Sequence, residues 1–269
     1  MSTAEIGIIG GSGFYHLLPG GRELTVQTPY GPTSDVIAVG ELAGRACAFL
    51  PRHGRRHSLP PHVIPYRANI FALKELGVTQ IIGVTAVGAL TEHFEVGDFA
   101  CPDQLVDYTH GRRADTYYDG PITTHVGFAQ PFCPQMRETV LGAASSLGLG
   151  CHTTATVVVT HGPRFSTLAE SRFYAEMGWD LENMTLYPEA VLARELGLSY
   201  ANISLVTNSH VQARESGGGE LASALDVITV LRDRLEDLLA LLKETVAQLP
   251  PGGERPQFIR DALKNARWI

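Results

Sequence analysis

The 269-residue chain lacks the features that mark membrane, secreted and nucleic-acid-binding proteins. No apolar run reaches the roughly 20 residues that a membrane-spanning helix needs. The first residues, Met-Ser-Thr-Ala-Glu, show no basic-then-apolar pattern of a secretory signal. The formal net charge is −7, which argues against general binding to nucleic acid. These absences predict a cytoplasmic protein whose partners are small molecules, with no nucleic acid and no membrane among them.

Cysteine is scarce and scattered, at Cys47, Cys101, Cys133 and Cys151. No Cys-x-x-Cys pair occurs, so reduced thiols are expected rather than a disulfide framework. His53 and His57 have the spacing of two zinc ligands on a helix. However, their segment carries a glycine and several arginines but no glutamate, which disfavours a helix and repels a cation. We therefore expect no metal site.

Three common glycine-rich motifs are also absent from the loop Gly10-Gly-Ser-Gly-Phe14, which follows the first apolar run. No Gly-Lys-Ser/Thr ends the loop, so it is not a P-loop. His16 stands where a dinucleotide fingerprint needs its third glycine, and Phe14 stands where a nucleophile elbow needs one. The loop still offers closely spaced backbone N–H groups and the hydroxyl of Ser12, which suit a small oxyanion such as phosphate.

What the chain does contain is a regular alternation of short apolar runs and helical patterns. Strands are predicted over 6–9, 46–50, 80–84, 156–160 and 201–206. Helices are predicted over 68–76, 135–147, 168–177, 189–196 and 222–247. This alternation is typical of an α/β sheet with helices on its faces. No repeat or flexible linker divides the chain, so one domain is expected over 1–248, followed by a tail or short helix over 249–269. The irregular stretch 103–134 is expected to form functional loops.

Polar residues follow several of these strands. Arg52 and His53 come directly after the second strand, and ligands of open α/β sheets gather outside the carboxyl ends of strands. The arginine fork matches phosphate oxygens. Thr85 is expected in a small turn after the third strand, and Thr185 lies before a helix. Each feature also suits an ordinary turn or cap, so it is their convergence that favours an enzyme.

Two further residues suit an aromatic ligand. Phe165 lies in a turn, where its ring can stack on a planar group, although core packing is the simpler alternative. Asn208 offers a donor and an acceptor on one amide. That combination fits a heterocycle with adjacent polar edges, such as a purine.

The chain resembles the purine nucleoside phosphorylase and methylthioadenosine phosphorylase family, and its trimeric methylthioadenosine branch most of all. The resemblance spans nearly the whole chain. It rests on seven motifs in order: Gly7-Ile-Ile-Gly-Gly-Ser-Gly13, Thr28-Pro-Tyr-Gly31, Arg52-His-Gly54, Tyr66-Arg-Ala-Asn69, Gln130-Pro-Phe-Cys-Pro134, Gly162-Pro-Arg-Phe-Ser166, and Asn183-Met-Thr185 with Pro188-Glu-Ala190.

The resemblance implies a single α/β domain, in which helices flank a central distorted mixed β-sheet. It also implies a homotrimer with active sites at the subunit interfaces. The implied reaction is a pentosyl transfer without metal or organic cofactor. Inorganic phosphate, the co-substrate, cleaves the N-glycosidic bond and releases a free purine base and a ribose 1-phosphate.

The resemblance also implies roles by position. Phosphate would be held by Ser12, Arg52, His53, Thr85, Ala86 and Thr185. The base would face Phe165, Ser166, Asn208 and His210. The ribose and its 5′ group would contact Met184, Leu221 and, from a neighbouring subunit, His125. The candidate catalytic residues are Asn208, His53 and Arg52.

The base site departs from the family pattern. Asn208 and His210 stand where methylthioadenosine phosphorylases usually carry aspartates. Asn208 is typical of the 6-oxopurine enzymes, whereas Ser166 is typical of the adenine enzymes. We expect 5′-methylthioadenosine or a close 5′-deoxy nucleoside as substrate. The alternatives are a 6-oxopurine phosphorylase acting on inosine, guanosine or methylthioinosine, a paralog with an altered nucleoside, a nucleosidase that uses water, and a nucleoside binder without turnover.

Overall fold

A computed structural model describes residues 3–11, 14, 17–211, 223–252, 256–264 and 266. The strands are β1 (Ile6–Gly10), β2 (Arg22–Leu24), β3 (Ile37–Leu42), β4 (Arg45–Pro51), β5 (Gln80–Ala89), β6 (Phe99–Ala100), β7 (Gln104–Tyr108), β8 (Cys151–His152), β9 (Thr156–Thr160), β10 (Leu181–Asn183) and β11 (Ser199–Ser209). The α-helices are α1 (Tyr66–Glu75), α2 (Pro134–Ser146), α3 (Leu168–Glu176), α4 (Leu186–Glu195), α5 (Ala224–Asp233), α6 (Leu235–Gln248) and α7 (Gln257–Lys264).

The strands form one mixed sheet whose centre is the long strand β5. The main path runs β2-β3-β4-β1-β5-β10-β9-β7, and β11 pairs with β5 on its other edge. β1 pairs in parallel with Gln80–Gly83, and β10 pairs antiparallel with Gly88 and Ala89. Between these two pairings, no described strand covers that edge of β5 over 84–87. The sheet therefore has a gap in its middle.

Two apolar clusters cover the two faces of the sheet. Ile9 and Ile81 belong to one cluster, while their neighbours Ile8 and Ile82 belong to the other, as expected for side chains that alternate along a strand. Helices α1 and α4 pack together on the first face, and α2 and α6 pack together on the second. The predicted fold class, an α/β domain with a mixed sheet and flanking helices, is confirmed.

The predicted elements differ from the observed ones in three informative places. Strand β5 continues to Ala89, so Thr85 lies inside the strand and not in a turn as predicted. The predicted helix over 222–247 is two helices, which meet at Arg234. The short strands β2, β3, β6, β7, β8 and β10 were not predicted, because two to six residues carry too little periodicity.

The last helix, α7, packs against the body of the domain. Ile259 is fully buried, and the guanidinium of Arg194 in α4 lies 4.1 Å from the ring centroid of Phe258. The backbone N–H of Gly127 donates to the carbonyl of Ala262 at 3.1 Å. None of the described helices is long and apolar enough to span a membrane.

All four cysteines are free, as predicted, and three of them are buried. Burial raises the pKa of the Cys47 and Cys101 thiols to about 12. Burial also raises the pKa of the half-buried Cys151 thiol, to about 11.

A buried ion pair joins α4 to the centre of the sheet. The Nε and Nη2 atoms of Arg52 each donate to a carboxylate oxygen of Glu189 at 2.7 Å, and both side chains are 2% exposed. The hydroxyl of Tyr200 donates to the same carboxylate at 2.7 Å. A side chain at Gly83 would collide with that hydroxyl, so a glycine is needed there.

We expect Glu189→Ala to lower the free energy of unfolding by about 3–5 kcal/mol, because it leaves the Arg52 charge buried and unpaired. Urea unfolding checks this. The matched control is Glu23→Ala, which breaks the exposed Arg55–Glu23 pair and should cost less than about 1 kcal/mol. Equal losses for the two variants would contradict the assignment.

Candidate active site

A cavity of about 570 Å³ opens at the gap beside β5. Residues from β5, β10, β11, α5, the segment after β4 and the loop after β9 line it. The predicted site residues that line it are Arg52, His53, Thr85, Ala86, Phe165, Met184, Thr185, Asn208 and His210.

One end of the cavity is built around Asn183, at the end of β10. Its Oδ1 accepts hydrogen bonds from the backbone N–H groups of Thr185 and Leu186 at 2.7 and 2.8 Å. Its Nδ2 donates to the carbonyl of Ala86 in the gap at 3.1 Å. This turn fixes Thr185 at the start of α4, opposite the uncovered edge of β5. In an extended strand, N–H and C=O of one residue face the same side, so the N–H of Ala86 also faces the gap.

His53 lies at the same end of the cavity. Its Nδ1 is 2.9 Å from the carbonyl of Leu59, and because a carbonyl only accepts, Nδ1 carries the proton. Burial, followed by the charge of Arg52, lowers the pKa of His53 to about 4. The ring is therefore neutral at pH 7, and its Nε2 is an acceptor.

Arg52 reaches the floor of the cavity with most of its donors already used. Beyond its two bonds to Glu189, Nη1 donates to Val84 O at 2.9 Å and Nη2 donates to Ile9 O at 3.2 Å. Of the five N–H donors of a guanidinium, one on Nη1 has no partner within the described part of the chain. Arg52 can offer a single hydrogen bond to a ligand, and not a bidentate pair.

The other end of the cavity groups polar side chains around Gly88. Strand register places Glu182 of β10 and Asn208 of β11 opposite Gly88 on its two sides. The pairing of β11 shifts by one residue at Thr207, and such a bulge re-aims the side chain that follows it. A Cβ at Gly88 would lie 2.5 Å from His210 Nε2 and 2.7 Å from Asn208 Nδ2. Only glycine lets both groups pack beside β5.

Glu182, like Asn183, is a residue of the site to which the sequence analysis gave no role. It is 6% exposed and lines the cavity. Its Oε1 accepts hydrogen bonds from the hydroxyls of Ser166 at 2.5 Å and Thr160 at 3.0 Å. Burial raises the pKa of Glu182, while these two hydroxyls lower it. Ser166, predicted at the base, lies behind Glu182 and does not line the cavity among the described residues.

The remaining wall of the cavity is apolar. Met184 packs against Gly162, where a Cβ would lie 2.7 Å from its sulfur. Helix α5 contributes Val227, Ile228 and Leu231. Of this wall, Met184 is the residue at which the sequence analysis expects the ribose and its 5′ group.

Besides Ser166, three predicted site residues have no described place in the lining of the cavity. Ser12 and Leu221 lie outside the described residues. His125 is exposed and does not line the cavity among the residues described, and its backbone N–H donates to Ala266 O at 2.6 Å. The role expected of His125 concerns a neighbouring subunit. Within the described ranges, no three His, Cys, Asp or Glu side chains are grouped so that they could hold a metal ion.

Known proteins share this sequence and architecture. The family model described as the phosphorylase superfamily matches residues 5–247. The S-methyl-5'-thioadenosine phosphorylase of Thermofilum pendens is 46% identical over 252 residues, covering 93% of this chain and 94% of that one. The purine nucleoside phosphorylase of Streptomyces coelicolor is 46% identical over 260 residues, covering 94% of this chain and 91% of that one.

Solved structures agree with the sequence relatives. A methylthioadenosine phosphorylase from an antarctic soil metagenomic library superimposes with a TM-score of 0.90 at 39% identity, covering 100% of this chain and 93% of that chain. The methylthioadenosine phosphorylase from Schistosoma mansoni in complex with adenine gives a TM-score of 0.90 at 34% identity, covering 98% and 99%. The chain belongs to the phosphorylase superfamily, which confirms the resemblance inferred from its motifs.

The low pKa of His53 has a consequence for stability. The His53 ring takes up a proton near pH 6.5 in the unfolded chain, whereas in the folded chain it does so near pH 4. The stability contributed by the neutral ring is present above pH 6.5 and is lost as the pH falls toward 4, by about 2–3 kcal/mol.

Urea unfolding at pH 7 and at pH 4.5 tests this effect. The free energy of unfolding should fall less between the two pH values for His53→Asn than for the wild type. Substitution of the exposed His93 by Asn should keep the wild-type loss, and a His53→Asn variant that also keeps it would contradict the assignment.

Proposed function

We propose that the protein catalyses the phosphorolysis of a purine nucleoside with an apolar 5′ group, 5′-methylthioadenosine or a close 5′-deoxy nucleoside. Phosphate attacks C1′ of the ribose, the N-glycosidic bond breaks, and the products are the free purine and a (5-deoxy-5-methylthio)ribose 1-phosphate. The observation that carries the proposal is one cavity whose lining combines anion donors, an aromatic ring, polar side chains and an apolar wall.

The end near Thr185 suits phosphate. Thr185 supplies a hydroxyl, Ala86 a backbone N–H and Arg52 one N–H. The acceptor Nε2 of His53 suits the P–OH of hydrogenphosphate, which the N–H groups of Ala86 and Arg52 cannot satisfy. Neutral and charged donors thus surround the dianion, while His53 Nε2 accepts from its protonated oxygen. Ser12 would add a further donor from the glycine-rich loop.

The two ends act on opposite charges. As the glycosidic bond breaks, positive charge develops on the ribose and negative charge on the purine. A phosphate held beside C1′ stabilises the positive charge and is already positioned as the nucleophile. The Asn208 amide can donate to the purine and stabilise the negative charge, and Phe165 offers its ring for stacking. No metal or organic cofactor enters this scheme, in which phosphate is the co-substrate.

The 5′ group is assigned from the wall of α5. Val227, Ile228 and Leu231 present hydrocarbon to the cavity, which favours a methylthio group over a hydroxymethyl group. Relatives at 44–46% identity are named S-methyl-5'-thioadenosine phosphorylases, which supports the same substrate class. We extend the proposal to a homotrimer in which His125 of a neighbouring subunit and Leu221 complete the 5′ side.

The first test measures the free base released from methylthioadenosine, methylthioinosine, adenosine and inosine, with and without phosphate. We expect release that depends on phosphate and is fastest for a methylthio substrate. Release without phosphate would instead identify a nucleosidase. The absence of release under both conditions would indicate a different nucleoside substrate or a nucleoside binder without turnover.

The apolar wall gives a second test. Ile228→Gln should lower the ratio of kcat/KM for a methylthio nucleoside to that for its 5′-hydroxy counterpart by about tenfold, because apolar contacts of this size discriminate by about 1–3 kcal/mol. Leu225→Gln is the matched control: Leu225 lies on the same helix, is 71% exposed and does not line the cavity among the described residues. If both variants changed the ratio equally, α5 would not bind the 5′ group.

A further inference from the structure

A buried arginine that the proposed function does not use lies behind the wall of the cavity. Arg113 comes from the loop after β7, within the irregular stretch 103–134, and it is 8% exposed. Unlike Arg52, which is paired with Glu189, it forms no ion pair within the described part of the chain. Burial lowers the pKa of Arg113, because desolvation disfavours the charged guanidinium. A buried charge of this kind has to be held by other hydrogen bonds.

Those hydrogen bonds go to backbone carbonyls of two different elements. Nη2 of Arg113 donates to His161 O at 2.8 Å and to Thr160 O at 3.3 Å, where β9 ends. Nη1 donates to Tyr187 O at 2.5 Å, in the first turn of α4. Tyr187 has φ −112° and ψ 129°, which lie outside the helical range, so its carbonyl is open to a donor from outside the helix. One guanidinium therefore connects the end of β9 to the start of α4.

A third segment is connected through Tyr66. Nη1 of Arg113 also donates to the Tyr66 hydroxyl at 3.2 Å, and this hydroxyl donates in turn to the carbonyl of Pro61 at 2.9 Å. Pro61 and Met184 both line the cavity. A Cβ at Gly162 would lie 2.7 Å from Met184 Sδ and 3.3 Å from Pro61 Cγ. The segments that Arg113 connects therefore contact one another directly at the wall of the cavity.

The loop that carries Arg113 is itself attached to both ends of α4. Near the start of the helix, the Tyr187 hydroxyl donates to Asp115 Oδ2 at 2.6 Å. At its last residue, the Glu195 carboxylate accepts from the Thr116 hydroxyl at 2.7 Å and from the Tyr117 backbone N–H at 2.8 Å. These contacts give the guanidinium a defined position relative to the cavity.

We propose that Arg113 is a positioning residue for the nucleoside side of the cavity, which comprises Pro61, Phe165 and Met184. It fixes the turn after β9, which carries Phe165, relative to Met184 and Pro61. Arg113 does not line the cavity among the described residues, so it acts through these three groups. The inference rests on the proposed function, because that function makes Phe165 and Met184 contacts of the nucleoside.

The groups proposed to bind phosphate have other supports. Arg52 is held by Glu189, and the backbone N–H of Thr185 donates to Asn183 Oδ1 at 2.7 Å. Neither contact involves Arg113. Loss of the Arg113 guanidinium should therefore weaken the binding of the nucleoside and leave the binding of phosphate nearly unchanged.

Steady-state kinetics of Arg113→Met test this separation. The substrate is methylthioadenosine or methylthioinosine, whichever the wild type turns over faster. The KM for the nucleoside should rise about tenfold, because small displacements of binding groups are costly, while the KM for phosphate changes less than about threefold. A partly unfolded enzyme would lower kcat and leave both KM values unchanged, so the KM values distinguish positioning from loss of structure. An unchanged nucleoside KM, or equal rises in the two KM values, would overturn the inference.

Two matched variants complete the series. Arg113→Lys keeps the charge but lacks the planar fork, so its nucleoside KM should lie between those of the wild type and Arg113→Met. Arg112 is the exposed neighbour, and Arg112→Met should leave both KM values unchanged. If Arg113→Met does not fold, Arg113→Lys decides the question. A nucleoside KM raised at least about threefold with unchanged phosphate KM would support the inference, and a wild-type nucleoside KM would overturn it.

Failure of the proposed function is visible in the wild type. Release of base that does not depend on phosphate would contradict the proposed reaction. Isothermal titration calorimetry with methylthioadenosine alone, and with phosphate alone, then compares the Kd values of the wild type and Arg113→Lys. Weaker binding of the nucleoside with unchanged binding of phosphate would uphold the role of Arg113, and equal nucleoside Kd values would overturn it. A wild-type protein that binds neither ligand would contradict both proposals.

Discussion

The site depends on one mismatch in strand length. β5 is longer than its two partners on one edge can cover, because β1 stops pairing at Gly83 and β10 starts pairing at Gly88. The carbonyls left in between lie in the protein interior and must still find donors. Arg52 supplies one to Val84 and Asn183 supplies one to Ala86. The same two side chains form the floor and one wall of the cavity. The hydrogen bonds that satisfy the backbone carbonyls of β5 therefore also build the site.

The position of Arg52 depends in turn on a series of contacts that continue into the core. Arg52 can be buried because Glu189 neutralises it, and Glu189 is held in turn by Tyr200. Tyr200 fits because Gly83 has no side chain. Each contact joins a different element of the fold. The positions of the groups at the end of the cavity near Thr185 therefore depend on packing in the core. This explains why a charged residue at the site is among the least exposed in the protein.

The sequence allowed the fold class and most of the cavity to be predicted, because apolar periodicity and residue type are local properties. The prediction was incomplete where contacts between residues far apart in the sequence determine the local structure. Thr85 was placed in a turn since small residues follow it, yet pairing with β11 keeps that stretch in a strand. Arg52 was predicted by type to offer its whole guanidinium fork to a ligand, but Glu189, which occupies two of its donors, is 137 positions away and cannot be seen locally. Glu182 was missed because β10 has only three residues, and a lone glutamate in such a segment usually faces solvent.

The state of the thiols has a practical consequence for experiments. A thiol with a pKa of about 11 to 12 has almost no thiolate at neutral pH, and the thiolate is the form that reacts with maleimides and iodoacetamides. Cys133 is shielded by burial alone, at 1% exposure. A single cysteine introduced on the surface would therefore be the dominant site of labelling, and fluorescent or spin probes could be attached to the native background without first removing its own cysteines.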